Sequence, residues 1–156
     1  MLQFQALATD AVRAMQDGQP DYYDLTPEVS VSDGVGNPCR HCLDHVPSNA
    51  PMLILSYRPF PGPQPYAEVG PIFLCGDECA RFETSPELPP ILKTSPTYLI
   101  KGYTGDDRIK YGTGIVIQPS EIKGVCEQIF TDETVAYIHV RSATNNCYMC
   151  RVTRGD

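Results

Sequence analysis

Seven cysteines stand in this chain, and six of them fall in tight pairs: Cys39-x-x-Cys42, Cys75-x-x-x-Cys79 and Cys147-x-x-Cys150, with Cys126 alone. Cysteines paired at such spacings close disulfides, exchange thiols or ligate a soft metal ion. An odd count fits a closed disulfide framework poorly, and in a reducing compartment metal binding or redox work is the commoner use. Four thiolates suit zinc, a borderline-soft tetrahedral ion, whereas calcium and magnesium want oxygen ligands. An iron–sulfur cluster accepts four thiolates as well. Four protein ligands leave no open position for water or substrate, so a zinc ion held this way is structural.

The elements that carry the cysteines decide which pairs can meet. Residues 2–8 read as a short strand, followed by a helix over Asp10–Met15 that Gly18 and Pro20 end, and Pro27–Ser32 read as a further strand. Asn37-Pro38 leads into Cys39-Arg40-His41-Cys42, a polar, turn-like segment of the kind that folds into a knuckle with convergent sulfurs. The apolar run Met52–Tyr57 predicts a buried strand of a mainly antiparallel sheet. Pro59–Pro65 holds too many prolines for a helix or a central strand and is expected to be a loop. Tyr66–Leu74 resumes as a strand broken at Gly70-Pro71, a helical turn is expected over Glu78–Glu83, and Pro86–Pro96 is a second loop.

Cys75 and Cys79, four apart, share a face in helix or strand, whereas Cys147 and Cys150 point to opposite faces of a regular strand. The predicted ligand set is therefore Cys39, Cys42, Cys75 and Cys79. Its order is treble-clef-like: a knuckle, a strand pair, then a cysteine pair at a strand-to-helix junction. A helix N-terminus near Cys79 would favour its thiolate. Cys39/Cys42 with Cys147/Cys150 is the rival set, and it needs a sharply bent final hairpin.

In the C-terminal half, Tyr98–Tyr103 and Ile109–Ile117 flank a hairpin turn at Thr104–Arg108. The clearest helix is expected from Glu121 to Phe130 with Ser120 as N-cap; Ile122, Val125, Cys126, Ile129 and Phe130 form its buried face. Cys126 then reads as a small core hydrophobe. Strands Val135–Arg141 and Cys147–Arg154 close the chain around a Thr144-Asn145-Asn146 turn. The fold class is α+β, expected as one domain over residues 1–156, with a mainly antiparallel sheet, one clear helix in the C-terminal half and a cysteine-rich zinc-knuckle-like element.

Three further groups could do chemistry. His139 shares a strand face with Tyr137 and Arg141 and would act as a base if Cys147 faced it, but a bonded strand histidine is the commoner outcome. His41 and His45 could each replace a cysteine ligand, although exposed loop positions are expected for both. Arg141 and Arg151 could form an anion site, with carboxylate pairing as the ordinary alternative.

A net charge of −7 argues against a nucleic-acid binder or an anionic membrane surface as partner, since both reward clustered Lys and Arg. No run approaches the roughly 20 apolar residues of a membrane span, and the opening lacks a basic start and an apolar signal core. A cytoplasmic location is expected.

The strings PCRHCL (Pro38–Leu43), ILSYRPF (Ile54–Phe60), PYAEVGPIF (Pro65–Phe73) and HVRSATNNCYMCRV (His139–Val152) resemble the bacterial domain-of-unknown-function family 1203. The resemblance runs from about residue 37 to the end and supports the fold reading, with no activity to transfer. It also implies that relatives often carry histidine near Cys75, an exchange a zinc ligand tolerates, and that some lack part of the cysteine set. Two function classes follow. One is a non-catalytic, zinc-stabilised module acting through a protein partner. The other is a thiol-dependent enzyme or redox protein using Cys147/Cys150 or Cys39/Cys42. Neither CxxC has the strand-then-helix setting of a thioredoxin-like motif, which favours the first.

Overall fold

The strands alternate or run apolar in the two ways that half-buried and fully buried sheets require, and they assemble into two antiparallel sheets. The computed structural model describes residues 1–155. In chain order the elements are β1 (Leu2–Gln5), α1 (Thr9–Gln16), β2 (Glu28–Val31), β3 (Pro51–Tyr57), β4 (Gly70–Cys75), β5 (Tyr98–Thr104), β6 (Ile115–Ile117), α2 (Ile122–Ile129), β7 (Val135–Ser142) and β8 (Tyr148–Arg154). A five-stranded sheet runs β1-β8-β7-β5-β6, and a three-stranded sheet runs β2-β3-β4.

Each helix closes one sheet. Ile122 and Cys126 of α2 pack with Phe4, Ile100, Ile138, Val140, Cys150 and Val152 on one face of the larger sheet. Val12 and Met15 of α1, three apart on one helical face, pack with Leu53, Leu55, Ile72 and Leu74 of the smaller sheet. The other face of β7 presents Tyr137 and His139, and Phe60 from the proline-rich loop covers it together with Tyr103. That loop is the lid of a third, aromatic core.

Several boundaries differ from expectation for physical reasons. Residues 66–69 are not strand: Ala67 N–H and Glu68 N–H are spent on turns, bonding to Gln64 O and Tyr66 O, so β4 starts only at Gly70. Ser120 is not the N-cap. A 3₁₀ turn at Pro119–Glu121 precedes α2, and Gln118 and Glu121 form the capping box. Within Ile109–Ile117 only Ile115–Ile117 pairs regularly, because the Thr113 hydroxyl takes the Gly102 N–H at 2.9 Å. No helical turn forms over Glu78–Glu83, which runs irregularly. Phe82 N–H donates to His41 O, and the Arg81 guanidinium bonds to the carbonyls of Ala6 and Leu7, so the segment is tied outward rather than into itself.

Among the described residues no helix is long and apolar enough to cross a membrane.

Candidate metal centre

The first cysteine pair sits in a loop that hugs the edge of β4. Cys39 bridges to Phe73, Arg40 N–H donates to Phe73 O, and Pro38 bridges to His45 across the loop's neck. The turn closes by Leu43 N–H on Cys39 O at 3.0 Å and Cys39 N–H on Asp44 O at 2.9 Å.

Leu43 has a left-handed backbone at φ 51°, a conformation that costs an L-residue about 1–2 kcal/mol. It is nonetheless leucine because its side chain is fully buried in the larger core. Truncating such a side chain costs about 2–5 kcal/mol, so packing outweighs strain. Leu43→Gly is therefore expected to destabilise the protein by about 2 kcal/mol net in urea unfolding, despite relieving the backbone. A glycine variant at least as stable as the parent would show that strain in the turn dominates.

The second pair leaves the end of β4. Gly76 lets that exit pass close to β3: a Cβ there would lie 2.8 Å from Pro51 Cβ and 2.9 Å from Pro51 O. Helix α1 then braces the loop from outside. Gln16 Nε2 donates to Cys75 O and to Asp77 O, both at 2.9 Å, and Arg13 Nη2 donates to Cys79 O at 2.9 Å. The expected helix N-terminus beside Cys79 does not exist; α1 supplies the support instead.

The result is a tetrad. The sulfurs of Cys39, Cys42, Cys75 and Cys79 all lie within 4.8 Å of one another, close enough to hold a metal ion. Cys39 Sγ and Cys79 Sγ are 3.9 Å apart, against about 3.8 Å between thiolates on a tetrahedral ion with 2.3 Å bonds. Cys39 and Cys75 are buried, while Cys42 and Cys79 are half-buried.

Around the sulfurs the polar groups point inward. Backbone N–H groups of Cys75 and His41 donate to Cys39 Sγ at 3.3 and 3.5 Å. His41 Nδ1 lies 3.1 Å from Cys79 Sγ, and its Nε2 lies 3.0 Å from Thr9 Oγ1. The tautomer that satisfies both has Nδ1–H donating to the sulfur and Nε2 accepting from the threonine hydroxyl. His41 is fully buried, contrary to the exposed loop position expected for it. It touches a sulfur ligand candidate and orients it, the task usually given to the outer shell of a metal site. His45 is half-buried, and its Nε2 lies 3.2 Å from Thr94 Oγ1, away from the sulfurs.

Four thiols this close cannot all ionise without a cation. The Cys39 thiol is drawn down to about 6 by its contact with Cys42 and then Cys75. Cys79 falls well below the ordinary thiol range through Cys39, Cys42 and Cys75, and Cys42 and Cys75 rise in turn, first through Cys39. Charge on one sulfur thus opposes charge on its neighbours. A buried guanidinium partly offsets that charge: Arg40, whose Nε donates to Tyr148 O at 2.7 Å, is pushed down to about 10 by burial, while Cys147 and Cys39 pull it up.

The remaining cysteines lie apart from the tetrad. Cys150 is fully buried in the larger core, in the same cluster as Cys126. Burial pushes Cys126 up to about 12 and Cys150 higher still. Cys147 precedes β8 on the turn, with its Sγ 3.7 Å from Asn145 O. His139 pairs with Arg151 of β8, whereas Cys147 lies at the hairpin end, where its carbonyl accepts from Ser142 N–H. The Cys147–His139 couple considered from sequence does not form. Arg141 takes the ordinary course of carboxylate pairing, with Nη2 2.9 Å from Glu68 Oε1.

A family described as protein of unknown function (DUF1203) matches residues 36–154. The chain belongs to this family. The DUF1203 match contains all four tetrad cysteines and His41, whereas Thr9, Arg13 and Gln16 of α1 lie before it. No curated protein and no solved structure matches the chain.

Proposed function

We propose that the protein is a non-catalytic module whose fold is closed by one structural zinc ion on Cys39, Cys42, Cys75 and Cys79. The observation that carries this reading is the sulfur tetrad, four sulfurs within 4.8 Å of one another and surrounded by inward-pointing donors. The donor set is all sulfur, which suits zinc over the oxygen-seeking ions. The spacing suits one ion, since the inorganic sulfides of a multi-iron cluster would hold the cysteines farther apart. Four protein ligands fill a tetrahedral ion, which supports a structural rather than a catalytic role.

Each ligand pair interrupts a segment with few internal backbone bonds, so an ion joining them would tie the Cys39 loop and the Cys79 loop to β4. As a cytoplasmic module it would act through a protein partner, and the exposed Val29 and Val31 on edge strand β2 are surface available to one. The test is elemental analysis of protein purified without added metal or chelator, together with a count of reactive thiols. The expected result is one zinc per chain, with Cys39, Cys42, Cys75 and Cys79 protected from thiol reagents in the folded protein and reactive once a chelator removes the ion. Iron in place of zinc would move the reading to electron transfer. No metal with all seven thiols reactive would overturn it, and thiol chemistry would become the leading alternative.

A further inference from the structure

Three of the eight arginines of this acidic chain line one cleft of about 480 Å³, between the β1–α1 connection and the proline-rich loop after β3. They are Arg58, Arg81 and Arg151, and Tyr22, Tyr57 and Tyr148 stand among them. Backbone carbonyls hold all three guanidinium groups. Arg58 Nε donates to Phe60 O at 3.2 Å, Arg81 Nε and Nη2 donate to Leu7 O and Ala6 O at 2.9 and 2.8 Å, and Arg151 Nη2 donates to Pro59 O at 3.4 Å. Ring faces steady two of them: Arg58 lies 5.2 Å from the Tyr22 centroid and Arg151 lies 4.0 Å from that of Tyr137.

Carbonyls and rings orient a guanidinium without cancelling its charge. Among the described residues none of the three arginines forms an ion pair with a carboxylate, whereas Arg13, Arg108 and Arg141 all do. The one carboxylate lining the cleft, Asp107, accepts the Tyr137 hydroxyl at 2.8 Å. Three oriented positive forks in one concavity, on a protein of net charge −7, concentrate a potential opposite to that of the molecule as a whole.

We propose that this cleft binds a small phosphate monoester, with the phosphoryl group among Arg58, Arg81 and Arg151 and the organic part against the tyrosines. A phosphate monoester near neutral pH carries a charge of about −1.5 to −2 on three strong acceptor oxygens, which three guanidinium forks can share. A monocarboxylate offers two oxygens and one charge and leaves one fork unanswered. The volume fits the range of small-molecule sites, about 300–1,000 Å³. The site shares no residue with the sulfur tetrad and does not depend on a metal there.

The test is a titration of the full, metal-replete chain with phenyl phosphate, inorganic phosphate and benzoate at low salt, followed by amide chemical shifts and calorimetry. One saturable site is expected, with shifts centred on Tyr22, Tyr57 and Tyr148, and with phenyl phosphate binding about tenfold more tightly than benzoate. Arg58→Gln and Arg151→Gln should each weaken it about tenfold or more, while Lys123→Gln on α2, outside the cleft, should not change it. No saturation by about 10 mM, equal binding of benzoate, or an equal loss in Lys123→Gln would overturn the proposal. Should Arg151→Gln disturb the Tyr137 packing, the shift map of the unaltered protein decides: shifts scattered away from the cleft would overturn it.

Discussion

Alanine at Cys79 or at Cys42 is expected to abolish metal retention and to lower the unfolding free energy by about 3–5 kcal/mol, against a typical total of about 5–15 kcal/mol. The size of the loss comes from what the sulfurs tie together. The segment from Glu78 to Glu83 has no regular structure of its own, and it is held by Cys79, by Arg13 at Cys79 O and by the Arg81 bonds to Ala6 and Leu7. A structural zinc ion contributes folding energy directly, because the unfolded chain has no such site. A chelator should produce the same loss in the parent protein and none beyond it in the Cys79 variant, and the two alanine substitutions together should cost little more than one. Cys126→Ala, which removes a fully buried sulfur far from the tetrad, serves as the comparison and should cost about 1 kcal/mol with metal content unchanged. Denaturant melts with elemental analysis check all of this. Equal losses at Cys79 and Cys126, with a chelator inert, would remove the metal from the account of stability.

The second large effect is expected at His139 and depends on pH. Its ring is fully buried in a box of Phe60, Tyr103, Tyr137 and Tyr148, with neither nitrogen bonded. Burial holds its pKa well below 6.5, and the charges of Arg141, Arg151 and Lys101 push the same way. The sign follows from linkage. Above about pH 6.5 the histidine is neutral folded and unfolded and contributes no pH dependence; below that, only the unfolded chain takes up the proton, so stability falls as pH falls. The slope approaches about 1.4 kcal/mol per pH unit until the depressed folded value is reached.

His139→Leu, close in volume, trades relief of two unbonded nitrogens, about 1–3 kcal/mol, against lost ring contacts of about 0.5–1.5 kcal/mol. Near pH 7 the two proteins should therefore differ little. By pH 5 the leucine variant should be ahead by about a further 2 kcal/mol. Urea unfolding at the two pH values measures that gap, and an unchanged gap would mean that the histidine is charged or bonded in the folded protein.

The larger part of the architecture was legible from local patterning. The MLILSY run became β3, the 3.6-residue spacing of Ile122, Cys126 and Ile129 became α2, and the alternation in residues 135–141 placed Tyr137, His139 and Arg141 together on one face of β7. The sequence also pointed to the four cysteines that now lie together, because a knuckle and an i,i+4 pair are short-range geometries that spacing dictates.

His41 was missed as a partner of the tetrad, and its position beside Cys42 gave no sign of burial. Its environment is set by Thr9, from a helix more than thirty residues earlier in the chain, and no local signal carries that contact. The helical turn expected at Glu78–Glu83 failed for a related reason: its backbone and Arg81 found partners in His41, Ala6 and Leu7, all distant in sequence, and those bonds outweighed weak local propensity.

By itself, then, the sequence determined most of the element types and favoured the four sulfurs that lie together over the rival set with Cys147 and Cys150, since both follow from residue chemistry at separations of a few positions. Only the tertiary structure decided what surrounds the sulfurs, why Cys150 joins the core while Cys147 stays on a turn, and that Arg58, Arg81 and Arg151 face one cleft. Those outcomes depend on sheet register, on one bulge in β8 and on loops crossing from distant parts of the chain, where hydrogen bonds and packing between remote segments override the preferences of any single one.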